Sequence, residues 1–418
     1  MKRLRLPART GYDLALLSVV VGLLAIGLAM VYSASGITAL DANDDPGTYL
    51  AQQSAWAALG LAAMFVAARL DYRRLRLFAA PLLVVSAVLL VAVLIPGVGV
   101  RVGGATRWLR IAPIIGLQPA ELAKLAVILY LGTWLGAHRD RVGSWRVSVP
   151  FLVVTATVAG LVVAEPDLGT AIVIVAVALA MYFAAGARLR EFAAVGGLAV
   201  IVGLALAVVQ PYRYERLLTF VDPWSNPRGT GFQTIQMLYG LALGGPFGEG
   251  LGAGKEKFGF LPAPYTDSIF AVLGDELGLV GTATVILLFL VLAFRGVRIA
   301  LRAQDSTGAI LATGITVWLA FQAWLNMAVV ASLMPMTGIT LPFISYGGSS
   351  LCVGLIAVGI LLSIGRTPSA QHARLSRAPG RGRNGRPRQP APRDRRGDPR
   401  AGSRDRVPLP RWSSRARG

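Results

Sequence analysis

Long unbroken apolar runs, in place of amphipathic stripes, organise this chain. A helix on the surface of a soluble domain repeats its apolar residues at i, i+3, i+4 and i+7. Here whole stretches are apolar on every face, and ten of them approach the roughly 20 residues that cross a bilayer. They are 13–33, 51–69, 76–96, 118–136, 147–164, 168–186, 192–210, 268–294, 307–333 and 340–365. The pattern predicts an all-α integral membrane protein of about ten transmembrane helices, with a long loop, 211–267, between helices 7 and 8. The first run follows Lys2, Arg3, Arg5 and Arg9 and is read as a retained anchor.

Composition agrees with this reading. The 418 residues are 55% hydrophobic and 15% charged, where a soluble domain carries about 25% charged residues. The net charge is +20, and residues 366–418 account for most of it, with sixteen Arg against three Asp. That stretch is rich in Arg, Pro and Gly and cannot build a core. It is expected to be a disordered basic tail at 367–418 that lies on anionic lipid or docks a cytoplasmic division partner, with no nucleic acid involved. Cys352 is the only cysteine, so no disulfide can form within the chain.

Charge also sets the topology. Cytoplasmic loops concentrate Lys and Arg. With the N-terminal segment 1–12 inside, the loops 70–75, 137–146, 187–191 and 295–306 are all basic, and both termini fall in the cytoplasm. The outer loops are 34–50, 97–117, 165–167, 211–267 and 334–339. Two of them carry cations against the trend: 97–117 with Arg107 and Arg110, and 211–267 with Arg213, Arg216, Lys255 and Lys257. The long loop is rich in Gly, Trp, Phe and Pro, which predicts ordered structure against the membrane surface. No internal repeat is visible, which argues against a transporter built from inverted halves.

Charged groups inside spans are costly and mark functional sites or structural pairs. Glu121 and Lys124, three apart, share one helix face, as do Gln322 and Asn326, four apart. Asp275 and Glu276 lie inside span 8. Glu165 and Asp167 flank Pro166 between spans 5 and 6. Asp267 stands at the outer mouth of span 8, where two readings are open: a helix N-cap or a general base. The chain has no phosphate loop, no His/Cys metal cluster and no Ser-His-Asp set. Its only histidines are His138 and His372, which excludes zinc chemistry and nucleotide hydrolysis as readings.

Several segments carry a family resemblance, from about residue 13 to 366. They are Arg107-Trp108-Leu109 with Gln118 through Lys124, Glu165-Pro166-Asp167-Leu168-Gly169-Thr170, Asp222-Pro223-Trp224 with Gly229 through Gln233, Pro262 through Gly278, and Pro342 through Ser350. In this order they resemble the SEDS family of cell-wall polymerases, and Asp222-Pro223-Trp224 with the basic tail is most like its division branch, FtsW. The family usually has His where Tyr265 stands, Phe at Ser268 and Glu at Asp275. The resemblance implies a peptidoglycan glycosyltransferase that polymerises lipid II at the outer face, with inversion, releasing undecaprenyl pyrophosphate. It implies Asp267 as the base, and Arg107, Arg110 and Lys124 as cations for the pyrophosphate. Glu121, Glu165, Asp167, Gln233, Glu276, Ser345 and Ser349 are further expected substrate contacts. Mg²⁺ or Mn²⁺ is an expected aid with no ligands assigned. Expected partners are lipid II, a class B penicillin-binding protein and other divisome proteins, in the plasma membrane at the septum. The alternatives are an elongation polymerase, a lipid II flippase and a non-catalytic scaffold.

Overall fold

The computed structural model describes residues 11–41, 45–102, 105–112 and 115–366. The N-terminal cations and the basic tail lie outside these residues. Among the described residues there are twelve helices, ten on the apolar runs and two, α8 and α9, in the long loop: α1 (Leu14–Asp41), α2 (Thr48–Arg69), α3 (Arg76–Leu94), α4 (Pro119–Ala137), α5 (Trp145–Ala164), α6 (Leu168–Ala184), α7 (Leu189–Val209), α8 (Pro211–Val221), α9 (Phe232–Leu243), α10 (Ile269–Arg302), α11 (Ser306–Val330) and α12 (Gly348–Arg366). Among the described residues nine are long and apolar enough to cross a membrane, and α6 is an apolar helix just short of that length. The chain is a multi-pass membrane protein.

Burial grades the bundle from centre to edge. Helices α4, α11 and α12 are mostly buried, with Trp318, Ile128 and Leu131 among the largest enclosed side chains. Helix α7 has Ala207 as its one buried position among the described residues, so its apolar surface belongs to lipid. Helices α4, α6 and α11 pack together at the centre, and α12 pairs with α2 along its length.

Four differences from the hydropathy reading have physical causes. The run 340–365 is a loop up to Gly347 and a helix only from Gly348. Hydropathy counts apolar side chains and not backbone direction, and Pro342, with Gly347 and Gly348, stops the helix from starting earlier. Helix α10 runs on to Arg302, past its apolar run, because a helix ends where its backbone bonds end and not where its side chains become charged. Loop 97–117 holds a three-stranded antiparallel sheet, β1 (Gly99–Val102), β2 (Ala105–Ala112) and β3 (Ile115–Leu117), so the fold is not purely helical. Val100, Trp108 and Ile111 favour strands, and this stretch lies between spans. The long loop contributes α8 and α9.

The long loop is sewn into α10. At Gly278 (φ 63°) the helix breaks, which frees backbone groups that need partners. The loop supplies them: Glu249 and Gly250 amides donate to the carbonyls of Asp275 and Glu276 (3.0 Å each), and the Leu279 and Val280 amides donate to Gly245 (2.9 Å) and Pro246 (3.1 Å). A Cβ at Gly248 would collide with the Glu276 carbonyl. Side chains add to the seam. Asp275 Oδ2 accepts from the Lys255 amide at 2.7 Å. The fully buried Glu276 accepts from Lys257 Nζ (2.7 Å), the Ser33 hydroxyl (2.6 Å) and the Gly252 amide (3.0 Å). This seam fixes the loop end of the bundle.

Candidate active site

Asp267 lies in the turn that leads into α10, and three successive carbonyls of that turn are gripped from outside it. The Tyr346 amide donates to Tyr265 O at 2.9 Å, the Ser345 hydroxyl to Thr266 O at 2.6 Å and Asn326 Nδ2 to Asp267 O at 2.8 Å. Ser345 is set by the Leu341 amide, which donates to its hydroxyl at 2.8 Å. Asn326 also donates to Ile339 O at 2.8 Å. The backbone at Asp267 is therefore fixed by α11 and the 339–346 loop, while among the described residues its carboxyl meets only the Thr266 hydroxyl and neighbouring backbone amides.

The capping reading is not realised. The N-cap of α10 is Ser268, and no side chain bonds to the first turn. The Thr266 hydroxyl lies 3.0 Å from Asp267 Oδ1 and 2.8 Å from the Ala263 carbonyl, one proton for two acceptors. Oδ2 faces Gly338 (φ 71°), where a Cβ would sit 3.8 Å away. Burial pushes the Asp267 carboxyl above the usual carboxylate range, opposed first by the Thr266 hydroxyl and then by nearby amides and the charge of Arg216. Tyr265 does not stand in for a proton relay. Its hydroxyl points at Tyr49 (3.5 Å), in a cluster of Tyr49, Tyr265 and Tyr346 with ring centroids 4.7 to 5.6 Å apart.

The other expected site residues separate into groups. Lys124 donates to Glu121 at 2.9 Å and to Gln322 at 2.7 Å, with all three side chains buried. Gln322 then donates to Thr340 O at 2.9 Å. Asp167 caps α6, accepting from the Thr170 amide (3.0 Å) and hydroxyl (2.9 Å). Ser349 accepts from the Gln118 amide at 3.3 Å. Arg107 donates to the carbonyls of Glu165 (3.2 Å) and Pro166. Glu165 is fully buried with neither carboxyl oxygen partnered. Its carboxyl is pushed up to about 8 by burial and by the charge of Asp167, against the opposing charge of Arg107. Arg110 is exposed on β2. Gln233 donates to Ser268 at 3.1 Å, one residue from Asp267. Glu276 belongs to the loop seam.

A cleft of about 260 Å³ opens beside this turn, between α8, α9 and the end of α11. Arg216, Gln233, Tyr212 and Met336 line it. Arg216 was one cation among several in a loop when read from sequence. The one available signal was the spacing Tyr212, Arg213, Arg216, Leu217, which is helical. A divalent cation finds no ready cage: among the described residues no group of three or more His, Cys, Asp or Glu side chains could hold a metal. The donors present form no all-protein cage, whereas Mg²⁺ carried on substrate phosphates needs only one or two carboxylates.

Fold and site together define a polytopic membrane protein with a fixed carboxylate and, beside it at one end of the bundle, a cleft lined by Arg216 and Glu215. The family model described as cell cycle protein, covering FtsW, RodA and SpoVE, matches residues 14–370, and the chain belongs to that family. It is 44% identical over 363 residues to a probable peptidoglycan glycosyltransferase FtsW of Trichlorobacter lovleyi, covering 86% of this chain and 95% of the relative. It is also 44% identical to stage V sporulation protein E of Bacillus subtilis, covering 86% and 98%. Among solved structures, a peptidoglycan synthase complex described as coordinating polymerisation and crosslinking matches with TM-score 0.70 and 33% identity, covering 85% of this chain and 98% of that one. The rod-shape-determining protein RodA of Thermus thermophilus matches with TM-score 0.63 and 29% identity, covering 86% and 98%.

Proposed function

We propose that this chain polymerises lipid II into β-1,4 glycan strands during cell division, with Asp267 as the general base. The supporting observation is the turn at Asp267: its backbone is held by three outside donors while its carboxylate caps nothing. The family and the named glycosyltransferase relatives supply the reaction class. Burial favours the protonated carboxyl, so the ionised form is a stronger base than a surface carboxylate. Asp267 takes the proton of the acceptor GlcNAc 4-hydroxyl as that oxygen attacks the donor's anomeric carbon. The bond to the pyrophosphate breaks, undecaprenyl pyrophosphate leaves, and the α linkage becomes β. A pyrophosphate leaving group needs charge stabilisation rather than a general acid, so one carboxylate suffices. The charged motif residues gather toward this end of the bundle, which favours a polymerase over a flippase.

The loop end faces the cell exterior in this reading, both termini face the cytoplasm, and the enzyme works at the septum. A class B penicillin-binding protein crosslinks the product. The test is reconstitution of the full chain with lipid II and that partner. Asp267→Ala is expected to lower polymerisation by about 10²–10⁴-fold with an unchanged unfolding midpoint. Normal strand formation by the variant would remove Asp267 from the chemistry.

A further inference from the structure

Three cations, Arg107, Arg110 and Lys124, were expected to meet the leaving pyrophosphate, and the structure sets a fourth, Arg216, apart from them. Lys124 is enclosed between Glu121 and Gln322 and stacks 5.0 Å from the Trp318 ring. Arg107 is directed at two backbone carbonyls. Arg110 stands exposed on the sheet. Arg216 differs from all three. It lines the cleft, and its Nη1 is anchored on Met336 O at 3.0 Å. Its guanidinium lies over the Tyr212 ring, 4.5 Å from the centroid. Its Nε and Nη2 have no hydrogen-bond partner among the described residues.

We infer that this cleft binds the pyrophosphate of the donor lipid, with Arg216 as the group that receives it. The inference rests on the polymerase reading and names the subsite within it. Arg216 forms no ion pair with Asp267 among the described residues, yet its charge is felt at that carboxyl. An inverting transfer needs a base on one side of the anomeric carbon and the leaving group on the other, and Asp267 and Arg216 supply one group for each role. The proton of the acceptor hydroxyl goes to Asp267, the new bond forms between that oxygen and the anomeric carbon, and the electron pair of the broken bond leaves on the phosphate oxygen. A planar guanidinium with two free donors suits that oxygen better than an ammonium. The wall formed by Val329, Met334 and Met336 offers apolar surface to the first prenyl units. Gln233 also lines the cleft and donates to Ser268, which ties the cleft wall to the turn that carries Asp267.

The test uses the full chain in detergent, titrated with undecaprenyl pyrophosphate, with undecaprenol and with inorganic pyrophosphate. Arg216→Gln is expected to bind undecaprenyl pyrophosphate about 10- to 100-fold more weakly, the range of a lost charge-assisted hydrogen bond. Undecaprenol should bind both proteins alike, and Arg216→Lys should recover part of the loss. Asp267→Asn should still bind undecaprenyl pyrophosphate while polymerising nothing, so a failure of the base assignment is read separately. Thr230→Asp, an exposed change on the cleft wall, should weaken the same binding without depending on the fold at Arg216. Wild-type affinity in Arg216→Gln or in Thr230→Asp overturns the assignment. So does equal wild-type affinity for inorganic pyrophosphate and the lipid, which would make the cleft a general anion site.

Discussion

The bundle side and the loop side of this membrane end are both rich in buried polar groups, but they treat them differently. On the bundle side, Lys124 is answered by Glu121 and Gln322, Gln322 by Thr340, and Asp167 by Thr170. On the loop side, Asp267 shares one hydroxyl proton with a carbonyl, and Arg216 keeps donors aimed at no protein group. Polarity alone therefore does not mark the reacting groups. What marks them is capacity left over beside the cleft, on a backbone that is itself held fast; Glu165 also keeps unpartnered oxygens but lies outside the cleft lining. Substitutions on the bundle side should then move stability first, and those on the loop side activity first.

Lys124→Met is the strongest challenge to that division. It removes the partner of a buried carboxylate whose second oxygen, Glu121 Oε2, already has none. Breaking a buried pair from one side costs about 3–5 kcal/mol. The expected result is a large fall in the unfolding midpoint, followed by intrinsic tryptophan fluorescence. The double change Glu121→Gln with Lys124→Met should recover most of it, because no charge is left alone. An unchanged midpoint with lost polymerisation would return Lys124 to the substrate site, as the family resemblance implies.

The same contrast explains what could be read from sequence. Glu121 with Lys124 was legible, because helical spacing places i and i+3 on one face. The spans were legible, because lipid demands apolar length. Lys257 with Glu276 was not, since nothing local says that a loop residue returns to a helix break and meets Ser33 of α1. Arg216 was hidden for the same reason: its importance comes from a cleft made by α8, α9 and α11. Asp267 was visible as a residue, but the choice between cap and base depended on where Ser268 falls in the first turn. Loop 97–117 was expected to carry cations for the substrate, and the structure instead directs Arg107 at the α5–α6 turn.

Glu165 gives a smaller and signed effect. Its carboxyl is raised from 4.5 to about 8 in the folded chain. Between those values the unfolded chain has lost the proton and the folded chain keeps it, so folded protein binds more protons and stability falls as pH rises through the window. Glu165→Gln removes this dependence. The variant should match wild type near pH 4.5 and exceed it at neutral pH by on the order of 2 kcal/mol, seen as a midpoint difference that grows with pH. A constant difference from pH 5 to 8 would mean that Glu165 is ionised and paired, and would make it a second available carboxylate on the bundle side.

Asp167 gives the smallest effect and the closest control for Asp267. Both aspartates stand just ahead of an apolar helix, yet only Asp167 bonds to its first turn. Asp167→Ala should cost about 1 kcal/mol, as for other lost N-caps, and Asp167→Asn a few tenths, because asparagine caps almost as well. At Asp267 the ranking should invert: Asn keeps the shape and a hydrogen-bond acceptor but cannot take a proton, so it should be as inactive as Ala. If asparagine restores polymerisation at position 267, that residue acts by hydrogen bonding, and the two aspartates are alike after all.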